Sequence, residues 1–450
     1  MAGRILVDTT PLRESRDFRF LFSGQLVSTL GNQLTVVAIP YQTFRLTHSS
    51  LQVGAVSLAQ LFPFIAGALL GGPIGDSVDR RRIMLWSVAV MSLTSAGLAF
   101  NASVSHPSLL ALYLVSSLAS GFMGFANTAR MASVPALVER RHIPAANAMT
   151  QITFQAGVIV GPALSGLLLG IGLPLVYGID AGTFLIALAA TLPMAPIPPV
   201  AGAGAAPDGG RVGVWQSTRE GMRFLRSRQA LQGVYIVDIN AMVFGLPRAL
   251  FPAMAGSVFH GGTLTLGFLY ASPGAGALVG ALTTGWVSNV RRQGATVIWA
   301  VIAWGAAVTV FGLVHLLAVA LVMLAVAGWA DVISAVLRNT IIQSSIPDRF
   351  RSRMSSIQMA VVQGGPRVGD MESGGVATAT SIPFSIVSGG LACIVGAVVI
   401  AACMPRFRHH EAVVDEPEEW EDEGSPGELG SIVDGGAGAD APGAASGPAV

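Results

Sequence analysis

Twelve membrane-crossing α-helices in two sets of six is the fold class this sequence predicts, and three observations predict it. Hydrophobic residues make up 52% of the 450 and charged residues only 11%, against roughly 25% charged in soluble domains; the mean hydropathy is +0.63. Twelve runs are apolar over the ~20 residues that a bilayer crossing takes. The 26 basic residues, every one an arginine, fall between alternate runs rather than at random.

The runs follow one another with short polar breaks. Residues 1–19 are polar, carry Arg4, Arg13, Arg16 and Arg19, and lack the apolar core and small-residue cleavage site of a signal peptide. The first run, 18–44, is therefore expected to stay as a helix. Next come 51–75, 83–102, 107–130, 148–170 and 173–195, the last stopped by the proline-rich PIPP. The second set is 230–253, 264–287, 295–315, 317–337, 355–379 and 383–404. Segments one, seven, ten and eleven carry polar or charged residues within the run, and eleven spans is the alternative count. Cys393 and Cys403 lie in the last run, ~15 Å apart along a helix, too far for a disulfide.

The arginines test the count. Cytoplasmic loops of membrane proteins hold the excess of positive charge. With the amino terminus inside, 23 of the 26 fall on the cytoplasmic side, Arg338 among them, and only Arg45, Arg248 and Arg367 fall elsewhere. An odd number of spans would break that alternation, so both termini are expected in the cytoplasm. Residues 1–195 form the first half and 230–404 the second. Between them, 196–229 begins as a flexible Pro/Gly/Ala linker and ends in WQSTREGMRFLRSRQAL, whose helical spacing predicts an amphipathic helix along the inner membrane surface. The tail, 405–450, is acidic and then rich in Gly, Ala and Pro, the composition of a disordered segment.

The halves echo each other. GGPIGDSVDRRR after segment two resembles GWVSNVRRQG after segment eight, VERRHIP after four resembles PDRFRSR after ten, and GPALSG in five resembles GPRVGD in eleven. The offsets are 213, about 209 and 204 residues, in the same order. A duplicated helical unit with a site at its interface is a transporter architecture.

On these residues the chain, over about 12–408, resembles the major facilitator superfamily, and within it the bacterial branch of siderophore and drug exporters. That family's signature between helices two and three, Gly-x-x-x-Asp-Arg-x-Gly-Arg-Arg, is matched by Gly72, Asp76, Arg80 and Arg81, with Ser77 in place of arginine and Asp79 in place of glycine. The exporter signature of helix five is matched by GVIVGPALSG: Gly157, Gly161, Pro162 and Gly166, with Ser165 where glycine is usual. The resemblance implies a gate role for Asp76, bridging the halves at the start of helix eleven and pairing with an arginine, for which Arg130 is the candidate. Arg80, Arg81 and Arg82 are expected to face anionic headgroups, which attract each at ~1 kcal/mol.

An ionisable residue in a membrane helix costs at least ~2.5 kcal/mol at the centre, so each needs a reason. In the resemblance, helices one, four, seven and ten line a central cavity. Asp238 in segment seven and Asp331 in segment ten are thereby candidate proton carriers, with Asp370 of segment eleven, three residues from Arg367, as a further one. Asp180 in segment six is expected to be structural. A carboxylate in a partly dry site can exchange a proton near neutral pH, the chemistry of a proton antiporter. Asn32, Gln33, Asn127, Gln155 and Asn240 supply amides suited to a polar substrate or to interhelical bonding. Arg248 and Arg367 are placed to attract an anionic one.

No enzyme constellation is present: the seven histidines fall in loops or tail without metal spacing, and a chain without lysine has no phosphate-binding G-x-x-x-x-G-K-[ST]. A net charge of +1, scattered in small groups, gives no footprint for nucleic acid. The expected protein is a monomeric multi-pass exporter of the bacterial cytoplasmic membrane, with no cofactor and the proton gradient as its energy source. Its expected cargo is a small siderophore-like or amphipathic drug-like molecule. A facilitator or importer of the same fold, or a membrane receptor, is the alternative.

Overall fold

The computed structural model describes residues 8–75, 77–198 and 214–411, without the side chains at 72, 73, 214–219, 288, 289, 348, 349, 351–353, 355 and 356. Among the described residues there is no strand; twelve long helices carry the fold. The first six are α1 (Arg16–Thr47), α2 (Ser50–Gly75), α3 (Arg80–Ser103), α4 (Leu109–Leu137), α5 (Ile143–Leu169) and α6 (Leu173–Thr191). The second six are α7 (Gln229–Phe244), α8 (Thr263–Thr283), α9 (Gln293–Leu313), α10 (Leu317–Ser345), α11 (Asp348–Ala379) and α12 (Ile382–Cys403). By length and composition ten are apolar enough to cross a membrane. The other two, α1 and α11, have 32 residues each, ~48 Å of helix, but carry more polar side chains.

The two sets pack alike. In the first, α1 lies against α5 and α6, α2 against α4, and α3 against α4 and α6. Adding six to each number gives the pairings of the second: α7 with α11 and α12, α8 with α10, α9 with α10 and α12. Even the polar ties correspond. Asp180 on α6 accepts from Thr35 on α1 at 2.8 Å and Ser95 on α3 at 2.6 Å. Cys393 on α12, 213 residues on, takes Asn240 of α7 on its carbonyl at 2.9 Å and reaches the Val301 carbonyl of α9.

The sets meet along two seams, α2 with α11 and α5 with α8, and close contact there depends on glycine. A Cβ at Gly166 of α5 would stand 2.8 Å from the Gly267 Cα of α8; one at Gly54 of α2 would stand 2.7 Å from the Met371 Cα of α11. Gly374 packs in return against Ser50 and Leu51. These positions all lie at the helix ends remote from the chain termini. The exporter-like glycines therefore serve both sides of α5: Gly157 and Gly161 seat Thr29 and Gln33 of α1, while Gly166 and the carbonyl of Pro162 meet α8.

The charged loop after α2 is built as a clamp. Asp79 caps α3, accepting the Arg81 N–H at 2.9 Å, and also takes the Ile197 N–H at 3.0 Å; this is what the residue in place of the signature glycine does. Arg80 is buried and donates to the Ala132 carbonyl of α4 at 2.9 Å, and Arg81 donates to the Thr191 and Leu192 carbonyls at the end of α6. The expectation that these two arginines face headgroups is thus corrected: carbonyls near the ends of α4 and α6 accept the guanidinium donors.

The amphipathic helix spans Val214–Ser227, with Phe224 buried and stacked on Phe350 at 4.5 Å, and Arg223 and Arg226 exposed. Past α12, residues 405–411 dock instead of being disordered. Phe407 is fully buried between Gly233 of α7 and Gly294 of α9, the Arg406 N–H donates to Gln229 at 3.1 Å, and Arg292 pairs with Glu411 at 3.7 Å. The acidic part of the tail, 412–450, and linker residues 199–213 lie outside the described residues. Gly166→Val should strain the α5–α8 seam by about 1–3 kcal/mol, read as a lower thermal midpoint of the purified protein; an unchanged midpoint would contradict this packing.

Candidate functional site

The second half opens with a helix that breaks. Apolar patterning predicts one span over 230–253, but α7 stops at Gly245, and after Pro247 the chain makes a 3₁₀ turn, Arg248–Leu250, before the helix resumes as Phe251–Ser257. Proline has no N–H and clashes with the preceding turn, so backbone groups here need other partners. Trp304 donates Nε1 to the Gly245 carbonyl at 2.8 Å, Tyr270 donates its hydroxyl to the Arg248 carbonyl at 3.1 Å, and the Ala249 N–H donates to Asp370 at 3.1 Å. Irregular backbone inside a membrane protein is tolerated where it is satisfied in this way.

Asp370 is therefore a partner of the break and not the salt-bridge partner of Arg367. Three residues apart on α11, the two share a face, but each reaches a group on another helix. Arg367 donates Nη2 to Ser120 of α4 at 3.2 Å and lies 5.0 Å from the ring centroid of Phe64 of α2, so it ties the second half to the first. Arg248 sits within electrostatic reach of both Asp331 and Asp370.

Nearer the chain termini, α7, α10 and α11 enclose a cavity of about 310 Å³. Its walls are largely apolar, with Met242, Ile342 and Val362 among them, and its polar groups are Tyr235, Asp238, Asp331, Arg338, Asn339 and Gln358. Two of the three expected carboxylates meet here on one guanidinium. Arg338 Nη2 lies 2.9 Å from Asp238 Oδ1 and 3.7 Å from Asp331 Oδ1, while Nη1 donates to Ser334 at 2.8 Å. The Arg338 and Asp238 side chains are 6% and 8% exposed, and that of Asp331 is 37% exposed. Nearby, Gln358 donates to Asn339 at 2.8 Å and Tyr235 to the Met354 carbonyl at 3.3 Å, each bond joining α11 to a neighbour.

Arg338 is the residue that charge counting misplaced. Its apolar run ends at 337, which put it in a cytoplasmic loop, but α10 continues to Ser345 and holds it inside the protein. Spacing, unlike charge counting, points to this place: Asp331 and Arg338 are seven residues apart, one heptad on one helical face.

The remaining candidates are dispersed. Asn240 bonds to α12 and does not line the cavity. Gln33 is buried against Gly157 and Gly161, and Asn32 and Gln155 are half-buried on α1 and α5. Arg130 donates to Asn127 at 2.7 Å; Gly72 lies in the last turn of α2, while Asp76 lies outside the described residues. Among the described residues no group of three or more His, Cys, Asp or Glu is placed to hold a metal ion.

A discontinuous helix and an internally duplicated helical unit are features of transporter folds. The chain matches the model of the transmembrane secretion effector family over residues 8–424 and belongs to that family of the major facilitator superfamily. It is 31% identical over 415 residues to the enterobactin exporter EntS of Citrobacter koseri, covering 91% of this chain and 98% of that one. To the enterobactin exporter EntS of Escherichia coli strain K12 it is 29% identical over 406 residues, covering 90% and 95%. Among solved structures, the nucleoside transporter NupG superimposes with a TM-score of 0.68 at 14% identity, covering 86% of this chain and 99% of that one. A bacterial homologue of the human lysosomal transporter Spinster, inward-facing and unoccupied, does so with 0.62 at 14%, covering 87% and 95%. At those identities the structures show the fold alone. The chain is a multi-pass membrane transporter and not an enzyme.

Arg338→Met leaves a buried carboxylate without its cation and should cost about 3–5 kcal/mol. Adding Asp238→Leu should restore most of the loss, read as thermal midpoints of detergent-purified protein. Losses that simply add would show that the pair is not coupled.

Proposed function

We propose that this protein exports small molecules, siderophore-like or amphipathic and drug-like, across the bacterial cytoplasmic membrane in exchange for protons. The Asp238–Arg338 pair carries the reading: a carboxylate that is buried, faces a cavity and is held by a single guanidinium. A proton on Asp238 cancels its charge and with it most of the attraction to Arg338. Loss of that attraction frees α10 from α7 on one side of the cavity, so proton occupancy biases the relative position of two cavity helices. Coupling of this kind needs only that the proton and the cargo favour different states.

Alternating access is supported by the way the halves touch. Their glycine seams lie at the ends remote from the termini, while the cavity lies toward the termini, as in a state accessible from the termini side. With both termini in the cytoplasm, cargo loads from inside. The relatives named as enterobactin exporters favour outward transport of a siderophore-like cargo, and a monomer suffices because one chain supplies both halves.

Inverted vesicles holding the protein and energised inside-acid test this. Adding dyes, antibiotics or iron-free siderophores should dissipate the gradient with at least one compound, and Asp238→Asn at equal expression should bring that response to background. Persistence with Asp238→Asn would remove Asp238 as the carrier, and no response to any compound would overturn proton exchange.

A further inference from the structure

The cavity's two carboxylates are unequally served. Arg338 gives Nη1 to Ser334 and holds Asp238 at 2.9 Å, which leaves Asp331 at 3.7 Å, beyond hydrogen-bonding distance. Like Asp238 Oδ1, Asp331 Oδ1 is buried and accepts no hydrogen bond, but the Asp331 side chain keeps 37% of its surface exposed against 8% for Asp238 and is the one a ligand can reach. A buried acceptor left without a donor costs about 1–3 kcal/mol, more when charged, so this oxygen gains from any donor that reaches it. Among the described residues no other charged side chain lines the cavity. The lining thus holds two carboxylates against one guanidinium, and Tyr235 commits its hydroxyl to Met354. Arg248, a further cation acting on Asp331, is shared with Asp370 and is not among the residues that line the cavity.

We propose that Asp331 is the ligand-receiving group of this cavity, and that it takes cationic or uncharged hydrogen-bond-donating groups, an ammonium or neutral hydroxyls, and excludes anions. This rests on the reading of the cavity as the transport site and names its substrate class. It also reverses the expectation that arginines draw in an anionic cargo: Arg248 and Arg367 stand outside the lining, and Arg338 gives Nη1 to Ser334 and turns Nη2 to Asp238. The arrangement supplies an exchange rule. When Asp238 takes a proton, its hold on Arg338 weakens, and the guanidinium has 3.7 Å to close on Asp331. Arg338 then occupies the acceptor on which the ligand sat, so loading and ejection depend on one side chain with two seats.

Charge selection can be measured without knowing the cargo. Ala335 lines the cavity beside these groups. Ala335→Cys, placed in a Cys403→Ser background, offers a reporter thiol, with the same background lacking it as the control for buried Cys393. The probes are cationic, neutral and anionic methanethiosulfonates on detergent-purified protein, each rate divided by that reagent's rate with free cysteine. The cationic reagent should react about tenfold faster than the anionic one, the lower end of what a focused charge field gives. Asp331→Asn should bring the two within about twofold, while the neutral rate, which reports access alone, stays put. Asp331→Ser serves if the Asn variant is not monodisperse. An anionic rate equal to the cationic one, or a ratio unmoved by loss of the Asp331 charge, would overturn the proposal. Labelling needs no transport: selectivity present in a protein that dissipates no proton gradient would sink the exchange reading alone.

Discussion

A guanidinium that is 6% exposed between membrane helices is the constraint around which the second half is arranged. A guanidinium buried without a counter-charge costs several kcal/mol. It must therefore have a carboxylate, a further acceptor for its remaining donors, and helices that keep both in place. Asp238 comes from α7, Ser334 from one turn back along α10, and Asp331 from the turn before that. The pair fixes how α7 and α10 lie against each other, and the cavity between them and α11 follows.

The break in α7 belongs to the same economy. With Gly245 and Pro247 interrupting the helix, the carbonyl and N–H groups set free are taken by Trp304, Tyr270 and Asp370. Asp370 is thereby committed to the break and Arg367 is left to reach Ser120 and Phe64 in the other half. One half holds the ionic machinery; the polar tie of the other, Asp180 with Thr35 and Ser95, joins three helices without any cation among its hydrogen-bond partners.

Much of the fold was legible because membrane helices announce themselves by length and apolarity. The same rule failed at Arg338, since a hydropathy run ends where a helix meets charge, not where the helix ends. Patterning also missed the break at Gly245–Pro247, which apolar composition runs straight through. Asp238 and Asp331 could be named as costly charges in membrane segments, but their joint hold on Arg338 is a contact between α7 and α10 that spacing within one helix does not contain. Arg80 and Arg81 were read as surface charge because the carbonyls they cap belong to α4 and α6, far along the chain.

The central claim is that occupancy of the Asp238 carboxylate sets the conformation. Its most direct test is the distribution of distances between spin labels at Asn147, near the termini-side end of α5, and Leu282, near that of α8, both exposed. The account predicts that acidification shifts this distribution in the otherwise native protein. It further predicts that Asp238→Asn, which imitates the protonated residue, adopts the acid distribution at every pH. A distribution that ignores pH, or one that still responds to it fully in Asp238→Asn, would contradict the account.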